Sequence, residues 1–388
     1  PTPHGWFASD TEAPGPADLP VDYVMGVSDS TRLLANLTIR RPVQLALDMG
    51  CGCGYHAIRA ARHAERAIAV DINPRAIAFT GFNCMVNDVH NVECRLGDMF
   101  AAVEGLAFDL IVSNLPFVIS PDRSYVYRDS GRGGDQVSRE FLQTAPRYLR
   151  DGGLASVIFN WAHRPEGDWG APVRDWIANA GCDLWLLRKA SYDPLAYANM
   201  WNQRLASEGD VQRYQQTIVR WTSHFAKMGI DAVGYGVALI RRREGEARMR
   251  TEDIPEGGAD VEAGEELDRL LAVDDALHAL NDAELLARTV TVALDSQLEQ
   301  TLRWREGSFR VAEARLTLNS PLRPSADVDR PLAVLLGQID GTSTVRTALD
   351  RAAQAMGRGD PMDTLAFRDE ALPVVRELLS FGFLRLAG

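Results

Sequence analysis

Residues 45–54 join an apolar run, one acid and three alternating glycines, and no other segment limits the fold of this chain so strongly. The apolar run predicts a buried strand that ends at Asp48. Gly50, Gly52 and Gly54 predict a tight turn into a helix that begins near Tyr55, because glycine tolerates positive φ and leaves room for a ligand against the backbone. Nucleotide-like ligands bind at the carboxyl ends of strands in open α/β sheets. The segment predicts such a site, and a glycine turn without a ligand is the alternative.

A second acid follows the glycine turn at the spacing that a ribose-binding site needs. Residues 66–70 read as a second strand that ends at Asp71. An acid roughly 20 residues beyond the turn can accept hydrogen bonds from both ribose hydroxyls. The alternative is a helix N-cap, because a helix is predicted over residues 74–87. Residues 92–96 read as a third, short strand.

A fourth strand is predicted over residues 108–114, and it ends in Asn114-Leu115-Pro116-Phe117. The Asn114 carboxamide oxygen and the following backbone carbonyl can accept two N–H bonds from an amide or amine, which orients the nitrogen lone pair. The ring of Phe117 can stack on a planar group. The segment resembles the Asn-Pro-Pro-Phe or Asn-Pro-Pro-Tyr motif of amino-methylating enzymes, and that resemblance implies a planar, nitrogen-bearing substrate.

In their order, these motifs resemble the class I methyltransferases that use S-adenosylmethionine, specifically those of the HemK and methyltransferase-small type. A dinucleotide-binding fold fits less well, because Tyr55 stands where that pattern has a third small residue. The family motif is Asn-Pro-Pro-Phe or Asn-Pro-Pro-Tyr, and here Leu115 replaces the first proline. This departure leaves the methyl acceptor open.

The resemblance implies roles for individual residues. Thr31 would lie near the methionine carboxylate, or would simply begin a helix. Asp98 would bind the adenine amino group, or would be a turn acid, and Met99 would pack beside the ring. The implied cofactor-binding residues are Thr31, Asp48, Gly50, Cys51, Gly52, Gly54, Asp71, Ile72, Asp98, Met99 and Asn114. The implied catalytic residues are Asn114, Pro116 and Phe117, and no metal site is implied.

The alternation of strands and helices predicts an α/β fold, a Rossmann-like, doubly wound, seven-stranded sheet over residues 43–245. Residues 1–42 would hold an N-terminal segment with a helix inside residues 22–37. By resemblance, residues 232–242 form an antiparallel edge strand. Two helices are predicted in residues 192–228, either as a lid over the substrate or as extra core packing.

Two further segments flank the predicted fifth strand, residues 154–160. A glycine-rich loop at residues 127–135 resembles the loop after the Asn-Pro-Pro-Tyr motif, and a helix should follow it to about Leu149. At the other end of the strand, the side chains of residues 160–163 could line the acceptor pocket. For His163 the alternative is a packing histidine.

Charge and composition bear on partners. The net charge is −12 and the pI is near 5.1. Residues 246–275 predict an acidic linker, and residues 276–388 a smaller α+β, winged-helix-like module. Phosphate binding requires Lys and Arg, so the acidic charge of this module argues against DNA and for either protein contact or packing on the catalytic domain. A homo-oligomer remains open.

Other features bear on location and source. No apolar stretch reaches membrane-spanning length, and five cysteines without a Cys-x-x-Cys pair fit a reduced cytoplasm. The whole arrangement resembles multi-domain actinobacterial proteins of the family, whose N-terminal helical domain would precede Pro1.

Three functional hypotheses follow. The first is a methyltransferase that acts on an amine or amide nitrogen of a protein, an RNA or another planar acceptor. The second is a methyltransferase of specialised small-molecule metabolism that acts on O, N or C. The third is a regulator that binds the cofactor without catalysis. The first two require S-adenosylmethionine as methyl donor and give S-adenosylhomocysteine as product.

Overall fold

A computed structural model describes residues 2–11, 20–122, 134–207 and 210–387. The chain divides into two compact units, Pro1–Asp253 and Ile254–Gly388. Among the described residues, no helix is both long and apolar enough to cross a bilayer.

The first unit is built on one eight-stranded sheet with the strand order β3-β2-β1-β4-β5-β7-β6-β8. Strand β7 runs antiparallel to both of its neighbours, and all other adjacent pairs are parallel. The strands are β1 Val43–Met49, β2 Ala64–Asp71, β3 Val92–Leu96, β4 Phe108–Asn114, β5 Leu149–His163, β6 Cys182–Tyr192, β7 Ala232–Arg242 and β8 Met249–Asp253.

In the described part of this unit, seven α-helices flank the sheet: α1 Asp29–Leu37, α2 Tyr55–Ala61, α3 Pro74–Val86, α4 Gln136–Thr144, α5 Ala171–Ile177, α6 Pro194–Ser207 and α7 Val211–Met228. The main core holds side chains of the central strands, among them Leu47, Ile68 and Ile111, which are fully buried. Strands that are covered by helices on both faces have near-continuous apolar sequences. This explains why β1 and β4 could be predicted from the sequence.

The expected doubly wound sheet is confirmed, but its far edge differs. Strand β7 was expected at the edge and instead lies between β5 and β6. Nine of its eleven residues are buried, as suits a strand with neighbours on both sides. Strand β8, which was not expected, pairs with β6 and forms the edge.

Local capping explains two smaller differences. Helix α1 begins at Asp29 rather than near residue 22, because Ser28 and Thr31 form a reciprocal capping box. The helix expected to reach Leu149 ends at Thr144, and a short 3-10 turn, Ala145–Tyr148, leads into β5. The glycine-rich loop expected at residues 127–135 lies mostly outside the described residues.

Two helices, α6 and α7, occupy the segment 192–228. Residues 208–209 of their predicted junction lie outside the described residues. The helices pack through the buried rings of Tyr197, Trp221 and Phe225, which form a separate cluster with Ile119 and Val233. The insertion therefore has its own apolar core.

The second unit mixes helices with two small sheets. One sheet has the order β10-β11-β12, and the other pairs β13 with β9. The elements are α8 Gly264–Ala279, α9 Asp282–Leu286, β9 Val290–Val292, β10 Ser296–Arg305, β11 Ser308–Leu318, β12 Ser325–Asp327, α10 Arg330–Leu336, α11 Val345–Ala355, α12 Pro361–Ser380 and β13 Leu384–Leu386. The winged-helix-like description of this module stays a prediction.

The acidic stretch 246–275 is not the linker that was expected. It contains β8 and most of α8. Helix α8 buries Leu267, Leu270 and Leu271, while Glu265 in its first turn is exposed. The many acidic residues of α8 favoured a linker prediction, although its leucines are buried.

Candidate active site

A cavity of about 460 Å³ opens at the carboxyl ends of β1, β2 and β4. Its walls come from the segment before α1, the glycine loop after β1, the ends of β2 and β3, and the segment after β4. The lining residues are 23–26, 28, 30, 31, 49–53, 55, 56, 70–73, 76, 97–99, 114–118, 137 and 201. Ligand pockets usually have volumes of roughly 300–1,000 Å³, so the cavity can hold a small-molecule cofactor.

The three glycines of the loop serve different purposes. Gly50, Gly52 and Gly54 have φ values of 74°, 53° and 77°. A Cβ on Gly54 would lie 2.8 Å from Cγ2 of Thr80, whereas no atom lies within 4 Å of a Cβ on Gly52. Gly54 therefore permits close packing on α3, and Gly52 leaves space on the cavity wall.

Asp48 lies beneath this loop, and it is not among the residues that line the cavity. Its Oδ2 accepts a hydrogen bond of 2.8 Å from the backbone N–H of Ala57 in α2. Its Oδ1 is buried and has no partner among the described residues. Burial raises the pKa of Asp48 to about 7. Its direct contact is with the start of α2, so a cofactor contact by Asp48 has no support in this geometry.

Asp71 lines the cavity and connects the glycine loop to the segment before α3 through hydrogen bonds. Its Oδ2 accepts from the Gly52 N–H and its Oδ1 from the Asn73 N–H, both at 2.9 Å. Burial raises its pKa above the ordinary value. The N-cap of α3 is Asn73, whose side chain accepts from the Arg75 N–H, so the alternative capping role belongs to Asn73.

The ends of β2 and β3 form an apolar slot beside Asp71. The side chain of Ile72 is 56% exposed although it lines the cavity. Met99 has a positive φ of 48°, and Asp98 makes no side-chain capping bond to the turn that follows it. The slot thus combines two apolar side chains with one carboxylate.

Asn114 ends β4 and faces the first turn of α1. Its Nδ2 lies 3.2 Å from the Ser30 hydroxyl and 3.5 Å from the Thr31 hydroxyl. Because the amide nitrogen is directed to α1, the carboxamide oxygen of this planar group points away from the helix. Thr31 therefore both caps α1 and lines the cavity, and its role near the methionine carboxylate stays a prediction.

The three residues after Asn114 all line the cavity. Leu115 is buried in the main core, which gives a packing reason for leucine where the family has proline. The Phe117 ring lies 5.9 Å from that of Tyr235, centroid to centroid. The motif keeps an aromatic wall although its first proline is absent.

Several cavity residues were not predicted as site residues, and in the described part of the chain two of them carry unpaired nitrogen atoms. His56 is buried in the first turn of α2, and burial, followed by the charges of Arg59 and Arg40, lowers its pKa to about 3. Trp201 reaches the cavity from α6. Among the described residues, neither His56 Nε2 nor the Trp201 indole nitrogen has a hydrogen-bond partner. The aromatic residues of segment 192–228 were the only signal for Trp201.

Residues 160–163 do not line the cavity, which corrects one expectation. Asn160 donates to the Tyr197 hydroxyl at 2.5 Å. His163 Nε2 lies 2.9 Å from the Ser191 hydroxyl, so His163 is the packing histidine of the alternative. These side chains connect β5 to β6 and α6.

Two cysteines of the glycine loop, Cys51 and Cys53, line the cavity. Burial raises the pKa of the Cys51 thiol, and it raises that of Cys53 to about 11. The described part of the chain holds no cluster of three or more His, Cys, Asp or Glu side chains that could bind a metal.

Known proteins match the part of the chain that builds this cavity. The family model of the methyltransferase small domain matches residues 25–166. A protein N5-glutamine methyltransferase by name, from Methanocaldococcus jannaschii, is 30% identical over 34% of this chain and 68% of its own length. The release factor glutamine methyltransferase of Xylella fastidiosa is 31% identical over 34% of this chain and 51% of its own length.

A third relative is the ribosomal protein L11 methyltransferase of Porphyromonas gingivalis, which is 31% identical over 31% of this chain and 46% of its own length. The chain thus spans about half the length of two of these three relatives, and two thirds of the other. The chain belongs to the methyltransferase small domain family, among the HemK-like class I methyltransferases.

Proposed function

We propose that this protein transfers a methyl group from S-adenosylmethionine to an amide or amine nitrogen of a protein or RNA, with a protein glutamine as the first candidate. The orientation of Asn114 carries the proposal. Its amide nitrogen is directed to Ser30 and Thr31, which leaves its oxygen and the Leu115 carbonyl to accept the two N–H bonds of an acceptor amide.

The cavity fits the cofactor in shape and chemistry. The carboxylate of Asp71 would accept from the ribose hydroxyls, since each of its oxygens keeps a lone pair beyond its backbone bond. Ile72 and Met99 would hold the adenine between them, with Asp98 at its amino group. The glycine loop and Thr31 would face the methionine part. When bound, S-adenosylmethionine supplies an electrophilic methyl group on a sulfonium.

The protein's own contribution would be orientation. An amide nitrogen is a weak nucleophile because its lone pair is delocalised. Asn114 and the Leu115 carbonyl would hold its two hydrogens so that the lone pair faces the methyl group, and Phe117 would stack on the amide plane. This scheme is a direct displacement without a covalent enzyme intermediate, and it needs no strong base before attack.

Charge supports a protein acceptor over a nucleic acid. The net charge is −12, and an RNA acceptor would need basic side chains to neutralise its phosphates. The relatives' names point to release factors and a ribosomal protein. They do not favour the small-molecule enzyme or the non-catalytic regulator.

The test is transfer of labelled methyl into a cell extract that is fractionated into protein, RNA and small metabolites. The wild type should label protein, and Asn114→Ala should abolish labelling while cofactor affinity, measured by calorimetry, stays unchanged. Asn179→Ala, at an exposed position outside the cavity, is the matched control. Full labelling by Asn114→Ala would overturn the amide-clamp mechanism, and label confined to small metabolites would overturn the acceptor class.

A further inference from the structure

The hairpin of β10 and β11 carries an apolar face that extends beyond the core of the second unit. Its turn residues, Glu306 and Gly307, have φ values of 51° and 82°, as in the tight turns that join twisted antiparallel strands. At its base, Leu316 and Leu318 are buried in the core of the unit. The hairpin is therefore anchored at one end only.

Toward the tip, the same face is open to solvent. The register pairs Leu302 with Val311 and Trp304 with Phe309. These four side chains are 52–66% exposed, and the Trp304 and Phe309 rings contact edge to face at 5.1 Å. Such a patch marks an interaction site more often than a neutral surface.

Strand β10 also has a free backbone edge. It is the outer strand in the order β10-β11-β12, so among the described residues it pairs on one side only. Its ten residues contain no proline, and natural edge strands are commonly protected by proline or by their shortness. The register shift of the hairpin places the extra residue in β11, so β10 keeps its regular alternation.

We propose that a second copy of this chain pairs antiparallel with β10, about a two-fold axis at Thr301. Leu298 would then lie opposite Trp304 of the second copy on the apolar face. Glu299 would lie opposite Arg303 on the polar face. Each match occurs twice because the interface is two-fold.

Other registers of the two β10 strands lose the match of Leu298 with Trp304 and that of Glu299 with Arg303. A one-residue shift places Glu299 opposite Leu302 and mixes the two faces. An axis at Gln300 leaves Glu299 and Arg303 without an opposite charge across the interface. An axis at Leu302 pairs Glu299 with Arg305 but places Trp304 opposite Gln300. Arg303 also contacts Glu313 within the hairpin at 3.1 Å, but both side chains are mostly exposed, and such surface pairs stabilise little.

Antiparallel pairing of the two β10 strands would also bring a second copy of the chain beside the exposed tip of the β10–β11 hairpin. The tip of each hairpin would lie beside the base of the other, where the same face of the sheet packs on the helical core. Trp304 would thus contact Leu298 of the second copy, and the free edges of both β10 strands would be paired.

The register makes a sharp cysteine test possible in the full chain. Thr301→Cys should form a symmetric disulfide dimer on mild oxidation. Gln297→Cys alone should not, because its two sulfurs would be about 26 Å apart along the strands. A mixture of Gln297→Cys and Arg305→Cys should cross-link to a heterodimer. The wild type is the blank, since four of its five cysteines are buried.

Sedimentation velocity provides the second measurement. The wild type should sediment as a dimer, and Trp304→Ser should shift the equilibrium toward monomer by tenfold or more. Met362→Ser, which changes an equally exposed apolar residue on α12, should have no effect. A monomeric wild type, absence of the Thr301→Cys disulfide, or equal cross-linking by Gln297→Cys alone would overturn the proposal. A monomeric protein in which Trp304→Ser lowers only protein methylation would also overturn the proposal, because the apolar face of the hairpin would then bind the methyl acceptor.

Discussion

The Asn114 side-chain nitrogen lies 3.2 Å from the Ser30 hydroxyl oxygen, which connects the end of β4 to the first turn of α1. The helix that precedes the glycine loop therefore determines which way the Asn114 amide faces. The capping box of Ser28 and Thr31 in turn fixes that helix start. A residue outside the Asn-Leu-Pro-Phe motif thus controls the group that we propose binds the acceptor.

Ser30→Ala should lower kcat for methyl transfer about 2- to 10-fold, the range expected for loss of one hydrogen bond. The physical reason is that Asn114 loses the hydroxyl that orients its amide. Cofactor affinity, measured by calorimetry, should change less than kcat. Asp29→Ala, at the neighbouring exposed position, is the control, and equal effects of the two changes would contradict an orienting role.

Asp71→Asn should weaken cofactor binding about 10- to 100-fold, because hydrogen bonds to a charged group are each worth roughly 1.5–3 kcal/mol. The amide still has one oxygen, but it cannot serve both backbone N–H groups and the ribose. Calorimetric titration with S-adenosylhomocysteine measures the loss. Glu93→Gln on the exposed part of β3 should bind normally, and a normal Asp71→Asn would refute the ribose assignment.

Asp48→Asn should stabilise the protein increasingly as the pH rises. The folded-state pKa is raised to about 7 from the ordinary 3.8. The folded state therefore holds the proton more tightly, so the stability from this carboxyl is complete below its unfolded pKa and is lost as the pH approaches 7. The uncharged amide has no such loss.

The measurement is the difference in Tm between Asp48→Asn and the wild type, which should grow between about pH 4 and about pH 7 and level off above that. The pKa of His56 is shifted the opposite way, but it acts in both proteins and cancels in the difference. Asn179→Ala, at an exposed position without an ionisable group, should show a flat difference. A flat result for Asp48→Asn would mean that the buried carboxyl keeps its ordinary pKa.

The sequence revealed what depends on local pattern, and less of what depends on long-range packing. The glycine loop and Asp71 could be predicted because turn residues and strand ends are recognisable from a short stretch of sequence. Residues of the loop and Asp71 line the cavity. The contact of the Asp48 side chain with Ala57 in α2 was not anticipated, because spacing does not encode side-chain direction, and a cofactor role for Asp48 stays a prediction. The position of β7 inside the sheet depends on pairing with β6 and β5, which no single segment specifies.

Trp201→Phe should raise the KM for the protein acceptor about 2- to 10-fold and leave cofactor affinity unchanged. The indole nitrogen is buried, lacks a partner among the described residues and belongs to the cavity wall. Phenylalanine keeps the apolar wall and removes one donor. Trp6→Phe, outside the cavity and 63% exposed, is the control. A change in cofactor affinity instead of KM would place Trp201 at the cofactor.

Gly54→Ala should mainly lower the Tm, whereas Gly52→Ala should mainly lower the affinity for the cofactor. Both require positive φ, which costs an alanine roughly 1–2 kcal/mol. At Gly54 the new Cβ also lies 2.8 Å from buried Thr80, so this variant should show the larger fall in Tm. At Gly52 no protein atom lies within 4 Å, so the fall in Tm should be smaller.

Gly52→Ala should instead lose cofactor affinity, because its new methyl group would stand on the cavity wall. The control for backbone strain is Gly105→Ala, which has a φ of 77°, open space around the Cβ and a position outside the cavity. It should match Gly52→Ala in Tm and bind S-adenosylhomocysteine like the wild type. If both variants bound it equally well, Gly52 would be a turn glycine only, and the ligand-free alternative for this loop would regain support.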